Sequence, residues 1–374
     1  MSASGVTTIA KQRVAIFTAN MDGGGAERAM LKLAGGIAGH GYDVDLVLSR
    51  AEGHYLNEVP DAVRIVDLRA KRVLSSLPGL VRYLRRERPA AMLTSMNYVN
   101  IVGIWARTLS RVDTRLVVNE QNALSLEAAH SPRRRHRQMP RLIRRFYPWA
   151  DGVVSVAQGT ADDLVHTAGL RPAHVEVVHN PIVTPELRAM ADEPLDHPWF
   201  GSGQPPVLLA VGRFTQQKDF GTLIRAAFRV LERGDARLLI LGDGPERPHL
   251  EALVSSLGLN ASVGLPGWVG NPYPYMVGAA AFVLSSRWEG LPSVLIEALF
   301  CGAPVVATDC LSGPSEILEG GRYGLLVPVG DEDALAEGIA ATLAGDVPPP
   351  PAESWQPYEL ETVVRRYLDV LVGA

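Results

Sequence analysis

Residues 281–309 read AFVLSSRWEGLPSVLIEALFCGAPVVATD and contain the pattern that decides the fold. Residues 281–284 and 304–308 are short apolar runs of the kind that form buried strands. The segment 293–300 between them follows a proline and has the composition of a packed helix. A strand, a helix and a second strand in this order predict parallel strands joined by a helical crossover.

The same alternation extends through the chain. In the second half, apolar runs at 207–211 and 238–241 alternate with helical patterns at 220–232 and 246–257, and a short helix is predicted near 273–277. Apolar runs of the first half are separated mostly by segments of helix length: 13–19, 44–48, 91–94, 116–118 and 153–156. Both halves therefore predict an α/β fold with two Rossmann-like, doubly wound domains.

The length of 374 residues exceeds what one hydrophobic core comfortably serves, so two domains are expected. We predict an N-terminal domain at 1–180 and a C-terminal domain at 181–355. The polar, proline-containing stretch 181–206 is interpreted as the linker between them. The last segment, 356–374, is predicted to form a helix that packs back on the first domain.

Composition and charge limit the class of protein. Apolar residues make up 47% and charged residues 20%, as in soluble globular proteins. The first residues lack the apolar core of a signal peptide, and no apolar run has the length of a membrane span. Cys301 and Cys310 are interpreted as buried or incidental thiols. Together these features predict a cytoplasmic protein. Residues 1–180 carry a formal charge of +8 and the remainder −12, which indicates an anionic partner for the first half.

Ligands of open α/β sheets bind beyond the carboxyl ends of the strands, so the loops that follow strands are candidate sites. The first such loop contains Gly23, Gly24 and Gly25 and opens a helix, where free N–H groups favour a phosphate. A merely tight turn is the alternative, because Arg28 replaces the third glycine of the dinucleotide pattern.

Two further loops carry charged side chains. Arg213 and Lys218 follow the run 207–211 and are suited to hold a diphosphate, Arg through forked hydrogen bonds and Lys as a point charge; solvated surface charge is the alternative. In the other loop, Glu289 precedes a tight turn and Glu297 lies on the helix that follows. These two carboxylates are placed to hold hydroxyls of two different sugar rings, with phosphates between them at the helix start; ordinary surface acids are the alternative.

These residues carry a resemblance. Arg213 with Lys218, Glu289-x7-Glu297 within EGLPSVLIEAL, and CGAPVVA at 301–307 resemble the large GT-B family of retaining glycosyltransferases, family 4. The glycine cluster and the stretches 239–246 and 312–318 also match, and the resemblance covers nearly the whole chain. It implies the GT-B fold, in which two Rossmann-like domains face each other across a cleft.

The resemblance also implies residue roles. Arg213 and Lys218 would hold the donor diphosphate, Glu289 the donor sugar and Glu297 the ribose. Backbone groups of the turn after Glu289 would assist with sugar and phosphate: Gly290, Leu291, Pro292, Ser293 and Val294. The glycine cluster would close over the donor. Many family members carry a histidine after the strand at 116–118, but this chain has Glu120 and Asn122 there, which are candidates to lie near the sugar.

The predicted function is transfer of a hexose or N-acetylhexosamine from a UDP-sugar to a saccharide acceptor with retention of configuration. UDP is preferred over GDP by resemblance alone. No cofactor, metal or nucleic acid is expected, and the Asp43/Asp45 and Asp331/Asp333 pairs are interpreted as structural. The alternatives are a sugar-nucleotide epimerase or glycogen-type phosphorylase of the same fold, and a non-enzymatic nucleotide-binding regulator.

A basic amphipathic segment indicates where the acceptor is found. Seven arginines between Arg133 and Trp149 accompany an apolar stripe of Met139, Leu142, Ile143 and Phe146 at helical spacing. This pattern is typical of a helix in a membrane interface, with the stripe inserted, and equally of a helix that packs on a core. We expect a peripheral protein on the inner face of the cytoplasmic membrane and a polyprenyl-diphosphate-linked acceptor.

Overall fold

A computed structural model describes residues 11–22, 24–130, 134–232 and 236–373. The chain forms two parallel sheets, one of seven strands and one of six, with helices between consecutive strands. The predicted α/β class with two doubly wound sheets is therefore confirmed. Contacts divide the chain into two compact units.

The first unit contains Met1–Ser155, Leu164–Val178 and Val363–Ala374. Its strands are β1 (Arg13–Thr18), β2 (Asp43–Leu48), β3 (Val63–Asp67), β4 (Ala91–Ser95), β5 (Arg115–Glu120), β6 (Gly152–Ser155) and β7 (Val175–Val177). The strand order is β3-β2-β1-β4-β5-β6-β7, and every pair is parallel. Its helices are α1 (Gly25–Gly39), α2 (Leu77–Glu87), α3 (Asn97–Ser110), α4 (Leu124–His130) and α5 (Arg134–Phe146).

The second unit contains Val156–Asp163 and His179–Thr362. Its strands are β8 (Val207–Val211), β9 (Arg237–Leu241), β10 (Val263–Gly267), β11 (Ala281–Leu284), β12 (Val305–Thr308) and β13 (Leu325–Val327), in the parallel order β10-β9-β8-β11-β12-β13. Its helices are α7 (Pro185–Ala191), α8 (Phe220–Leu231), α9 (Arg247–Ser256), α10 (Tyr273–Gly278), α11 (Ser293–Phe300), α12 (Pro314–Ile317) and α13 (Glu332–Leu343).

Two helices extend over the division of the chain into units. Helix α6 (Gln158–Ala168) has its first six residues in the second unit, and α14 (Leu360–Val372) has most of its length in the first. In the first unit, Asn119 donates a hydrogen bond of 2.7 Å to the hydroxyl of Tyr367, and the Arg115 guanidinium donates to the Val370 carbonyl at 2.8 Å. Polar contacts as well as apolar packing therefore fix the end of α14.

The stretch predicted as a linker is structured. Residues 181–206 contain α7, and Ile182, Val183 and Leu187 are buried in an apolar core of the second unit. Val183 also pairs with Glu359 in an isolated parallel bridge. The interpretation of this stretch as a linker is wrong, because its few apolar side chains pack inward despite the surrounding polar and proline residues.

The apolar stripe of α5 faces the core of the first unit. Met139 and Ile143 are buried there, and Leu142 and Phe146 are partly buried against the same cluster. Insertion of this stripe into a membrane is therefore the wrong interpretation, since these side chains already stabilise the core. Arg133 lies outside the described residues. No helix in the described part of the chain is long and apolar enough to cross a membrane.

Both Asp-x-Asp pairs have structural contacts. Asp45 is buried and binds Arg64 and the Tyr83 hydroxyl, the latter at 2.6 Å. Burial and the adjacent carboxylate raise the pKa of Tyr83. Asp331 caps α13 by accepting hydrogen bonds from the N–H groups of Asp333 and Ala334.

Candidate functional site

The carboxyl edge of the second sheet presents a loop of residues 212–219, here called the cation loop. It begins where β8 ends, and the neighbouring strand fixes it: Gly212 N–H donates to Leu241 at 3.0 Å and Phe214 N–H to Asp243 at 2.9 Å. Phe214 is fully buried and anchors the loop. Next to this anchor, Arg213 is exposed and has no side-chain partner among the described residues, so its guanidinium is available to a ligand.

The backbone passes very close to the cation loop at one glycine. Gly242 has φ +140°, and a Cβ there would lie 1.9 Å from the carbonyl oxygen of Gly212. Only glycine fits this approach between the ends of β8 and β9. The position of Arg213 therefore depends on a residue that follows the next strand.

Lys218 and Glu289 form an ion pair at the end of the cation loop. The Lys218 Nζ lies 2.6 Å from Glu289 Oε1, with side-chain exposures of 15% and 8%. Ser286 Oγ donates to the same oxygen at 2.6 Å, and the Gln217 amide lies 3.5 Å from Glu289 Oε2. The sequence predicted a phosphate role for the lysine and a sugar role for the glutamate; the fold places the two side chains in contact.

Asp219 is a site residue that the sequence analysis missed. It is buried, has φ +48° in the left-handed region and immediately precedes α8. Its carboxylate accepts a hydrogen bond from Arg287 Nε at 2.8 Å. Strain of this kind persists only where surrounding contacts enforce it, and here the contact with Arg287 holds Asp219 in place before α8.

Residues 289–294, here called the Glu289 turn, lead from β11 into α11. Gly290, Leu291 and Pro292 are buried, and Ser293 and Val294 are half-buried. Within the described part of the chain, the backbone N–H groups of Gly290, Leu291, Ser293 and Val294 have no hydrogen-bond acceptor. Several unpaired donors beside Lys218 form an arrangement that binds an anion or sugar hydroxyls.

Glu297 lies one turn into α11 and is buried at 6% exposure. The hydroxyl of Tyr273 is 3.4 Å from its Oε1. The two glutamates of the predicted motif therefore belong to different elements, one in the turn and one on the helix, as the sequence predicted.

The remaining candidates lie in the first unit. Gly24 precedes α1 and Gly25 begins it, while Gly23 lies outside the described residues. Glu120, the last residue of β5, is buried and accepts hydrogen bonds from Asn100 at 3.0 Å and from the Tyr147 hydroxyl. Asn122 is exposed. These contacts hold the Glu120 carboxylate inside the unit.

The two cysteines lie near the charged residues of this site. Both are free thiols, Cys310 is buried and Cys301 is half-buried. Burial raises the pKa of each thiol to about 12. In the described residues, no group of three or more His, Cys, Asp and Glu side chains is arranged to hold a metal ion.

The chain matches two family models, which together cover most of it. The model described as glycosyl transferases group 1 matches residues 205–345, and glycosyltransferase family 4 matches residues 23–185. The first match contains the cation loop and the Glu289 turn. The chain is therefore a glycosyltransferase, and it belongs to glycosyltransferase family 4.

Two curated relatives match this chain over most of their own length. The N-acetylgalactosamine-N,N'-diacetylbacillosaminyl-diphospho-undecaprenol 4-alpha-N-acetylgalactosaminyltransferase of Campylobacter jejuni is 30% identical, and the match covers 90% of this chain and 91% of that protein. The lipopolysaccharide core biosynthesis glycosyltransferase LpsE of Rhizobium meliloti is 28% identical over 86% of both chains.

Solved structures share the fold. Anabaena HepE in complex with UDP-glucose has a TM-score of 0.76 at 19% identity, with 97% of this chain and 100% of that chain covered. The lipopolysaccharide outer core galactosyltransferase WaaB has a TM-score of 0.73 at 17% identity, with coverage of 97% and 99%. These similarities confirm the GT-B fold that the sequence predicted.

We expect Asp219→Ala to be less stable than Asp219→Gly by about 1 kcal/mol. Both variants lose the carboxylate and its contact with Arg287. The difference between their free energies of unfolding therefore measures what the backbone angle of φ +48° costs a residue with a side chain. Urea unfolding of both purified variants measures this difference. Equal stability would show that the loop relaxes out of the left-handed conformation.

Proposed function

We propose that this glycosyltransferase transfers a hexose or N-acetylhexosamine from a UDP-sugar to a saccharide acceptor and retains the anomeric configuration. The proposal places the chain in surface polysaccharide or glycolipid synthesis. One observation carries it. Around the ends of β8 and β11 lie a lysine–glutamate pair and, judged among the described residues, an arginine without a side-chain partner and backbone N–H groups without an acceptor. This combination suits a diphosphate joined to a sugar.

The proposed reaction requires stabilisation of a leaving diphosphate. The acceptor hydroxyl attacks the anomeric carbon, the bond from that carbon to the phosphate oxygen breaks, and the acceptor proton passes to the departing phosphate. Arg213, Lys218 and the N–H groups of the Glu289 turn stabilise the negative charge that develops. We assign no enzyme nucleophile; attack from the face of the departing phosphate accounts for retention.

The proposal divides donor recognition between two carboxylates. Glu289 accepts hydrogen bonds from sugar hydroxyls, and Glu297 from the ribose. When the diphosphate binds, Lys218 is shared between phosphate and Glu289, while Ser286 keeps its hydrogen bond to the carboxylate. The fixed cations meet the charge of the diphosphate, so the proposed reaction needs no metal ion.

UDP is the proposed nucleotide and a lipid-linked saccharide the proposed acceptor. The UDP-glucose complex of HepE supports the first choice. The name of the Campylobacter jejuni relative specifies an undecaprenol diphosphate substrate, which supports the second. Gly23, Gly24 and Gly25 remain proposed to close over the donor, and Glu120 or Asn122 to lie near the sugar.

We further propose that the first unit docks on the inner face of the cytoplasmic membrane through a basic patch. The Arg85 guanidinium donates to the Leu109 carbonyl, Arg107 donates to the Trp149 carbonyl, and Arg145 lies 5.2 Å from the Trp149 ring. These contacts join the ends of α2, α3 and α5. Trp149 is 39% exposed and Leu109 53%, so the patch combines cations with apolar side chains suited to an anionic interface.

Arg213→Ala and Lys218→Ala should each reduce the rate of sugar transfer about a hundredfold, because each removes a fixed charge opposite the diphosphate, worth about 3 kcal/mol. The measurement is transfer from radiolabelled UDP-sugars to lipid extracts. Arg229→Ala, which removes a surface arginine paired with Asp333, is the control and should keep the wild-type rate. Near wild-type turnover in the double Arg213/Lys218 variant would reject the phosphate assignment.

Glu289→Gln should lower transfer more than affinity for free UDP, and Glu297→Gln should do the reverse. UDP contains no donor sugar, and the first substitution also releases Lys218 from its ion pair. We expect a loss of about tenfold in the affected quantity of each variant, the effect of one charged hydrogen bond. Calorimetric titration with UDP and transfer kinetics measure the two quantities; equal losses in both variants would contradict the division of roles.

Arg85→Ala/Arg145→Ala should weaken binding to anionic vesicles roughly thirtyfold, because each cation near the surface contributes about 1 kcal/mol. Flotation with phosphatidylglycerol vesicles at low and high salt measures it. The matched control, Arg229→Ala/Arg322→Ala, removes two exposed arginines from the second unit. A wild-type protein that neither floats at low salt nor needs a lipid acceptor would refute the docking.

A further inference from the structure

We propose that Thr160 and Ser312 are positioning residues that fix the Glu289 turn through a relay of two hydroxyl groups. Neither residue belongs to the proposed donor site, and Thr160 comes from the segment Val156–Asp163, far from that site in the sequence. The inference rests on the proposed function, because it assigns these residues a role in presenting the turn to the donor.

The relay has a defined direction. Ser312 Oγ donates to the carbonyl oxygen of Gly290 at 2.8 Å, and the two hydroxyl oxygens of Thr160 and Ser312 lie 2.9 Å apart. A serine hydroxyl has one proton, which Ser312 gives to Gly290, so Thr160 must be the donor to Ser312. Donation to the Ser312 oxygen strengthens its own donation to the carbonyl.

Fixing the Gly290 carbonyl also orients the N–H group of the same peptide bond, which belongs to Leu291. The peptide group is planar and trans, so the N–H of Leu291 points opposite to the Gly290 carbonyl. This N–H has no acceptor among the described residues, as noted for the turn. The relay therefore directs an unpaired N–H group away from Ser312 and holds it there before the donor binds.

Close backbone packing supports the same contact. A Cβ at Gly313 would lie 2.3 Å from Pro292 Cδ and 3.0 Å from the Gly290 carbonyl oxygen. At the other side, a Cβ at Gly159 would lie 2.8 Å from the Leu311 carbonyl oxygen. Residues 311–313 thus pack closely on the start of α6 at Gly159 and on the Glu289 turn at Gly313. This close packing leaves the two hydroxyl groups little room to move.

A second contact holds the start of α6 against the same loop region. Glu316, on α12, accepts a hydrogen bond from the Gln158 N–H at 2.7 Å. Burial holds the pKa of the Glu316 carboxyl above its ordinary value. A second hydrogen bond, besides the contact between Thr160 and Ser312, therefore holds the start of α6 in place.

The two hydroxyls are also unusual for their surroundings. Thr160 is fully buried and Ser312 is 3% exposed, positions where an apolar side chain of similar size would serve packing equally well. Substitutions at Thr160 separate a packing role from a positioning role, because valine preserves the shape of threonine and serine preserves its hydroxyl.

Thr160→Val and Ser312→Ala should each lower kcat for sugar transfer about fivefold to tenfold, the effect of one hydrogen bond. Affinity for UDP, measured by calorimetry, should change less than about threefold, because the phosphate cations are untouched. Thr160→Ser should retain wild-type kcat although it leaves a small void. The double variant should be no slower than Ser312→Ala alone, since the two residues act as one unit.

Thr342→Val is the matched control: Thr342 is also a buried helical threonine, but its hydroxyl bonds to the Gly338 carbonyl within α13. It should lower the melting temperature about as much as Thr160→Val and leave kcat unchanged. Wild-type kcat in Thr160→Val and Ser312→Ala, or a slow Thr160→Ser, would overturn the inference alone. A wild-type protein that neither binds UDP nor transfers sugar would overturn the proposed function and this inference with it.

Discussion

Parallel strand pairing is the constraint on which the rest of this structure depends. Each strand must be followed by a crossover that returns the chain to the same end of the sheet, so all loops after strands lie along one edge. In the second unit this brings together the loops after β8, β9, β11 and β12, which are far apart in sequence. The Lys218–Glu289 pair joins residues 71 positions apart as a direct result.

Strand prediction succeeded where strands are buried and failed at the margins of the sheets. β3, β7, β10 and β13 went unpredicted, and these four are the edge strands of the two sheets. β10 has the sequence VGLPG, in which two glycines and a proline conceal a strand, and β13 has only three residues. An edge strand needs less apolar sequence because it is paired on one side only, so its sequence carries a weaker pattern.

The candidate site could be located from sequence, but its internal contacts could not. The charged residues and the turn lie in short motifs, whereas the strain at Asp219 and the Thr160–Ser312 contact arise from packing between distant segments; the latter pair is 152 positions apart. Helix α5 shows a second reason why sequence prediction fails. Its apolar stripe has the same spacing whether it faces a core or a lipid, and only the neighbouring elements decide which.

The segment Val156–Asp163 lies within the first half of the chain yet belongs with the second unit. No single cut of the gene therefore separates the two structural units. A gene fragment that starts at residue 181 would encode the cation loop and the Glu289 turn but omit Thr160. One that ends at residue 180 would omit Tyr367, the partner of Asn119. A chimera that exchanges donor specificity with a relative thus needs two crossovers within the gene, one on each side of residues 156–163, in addition to those around the second half.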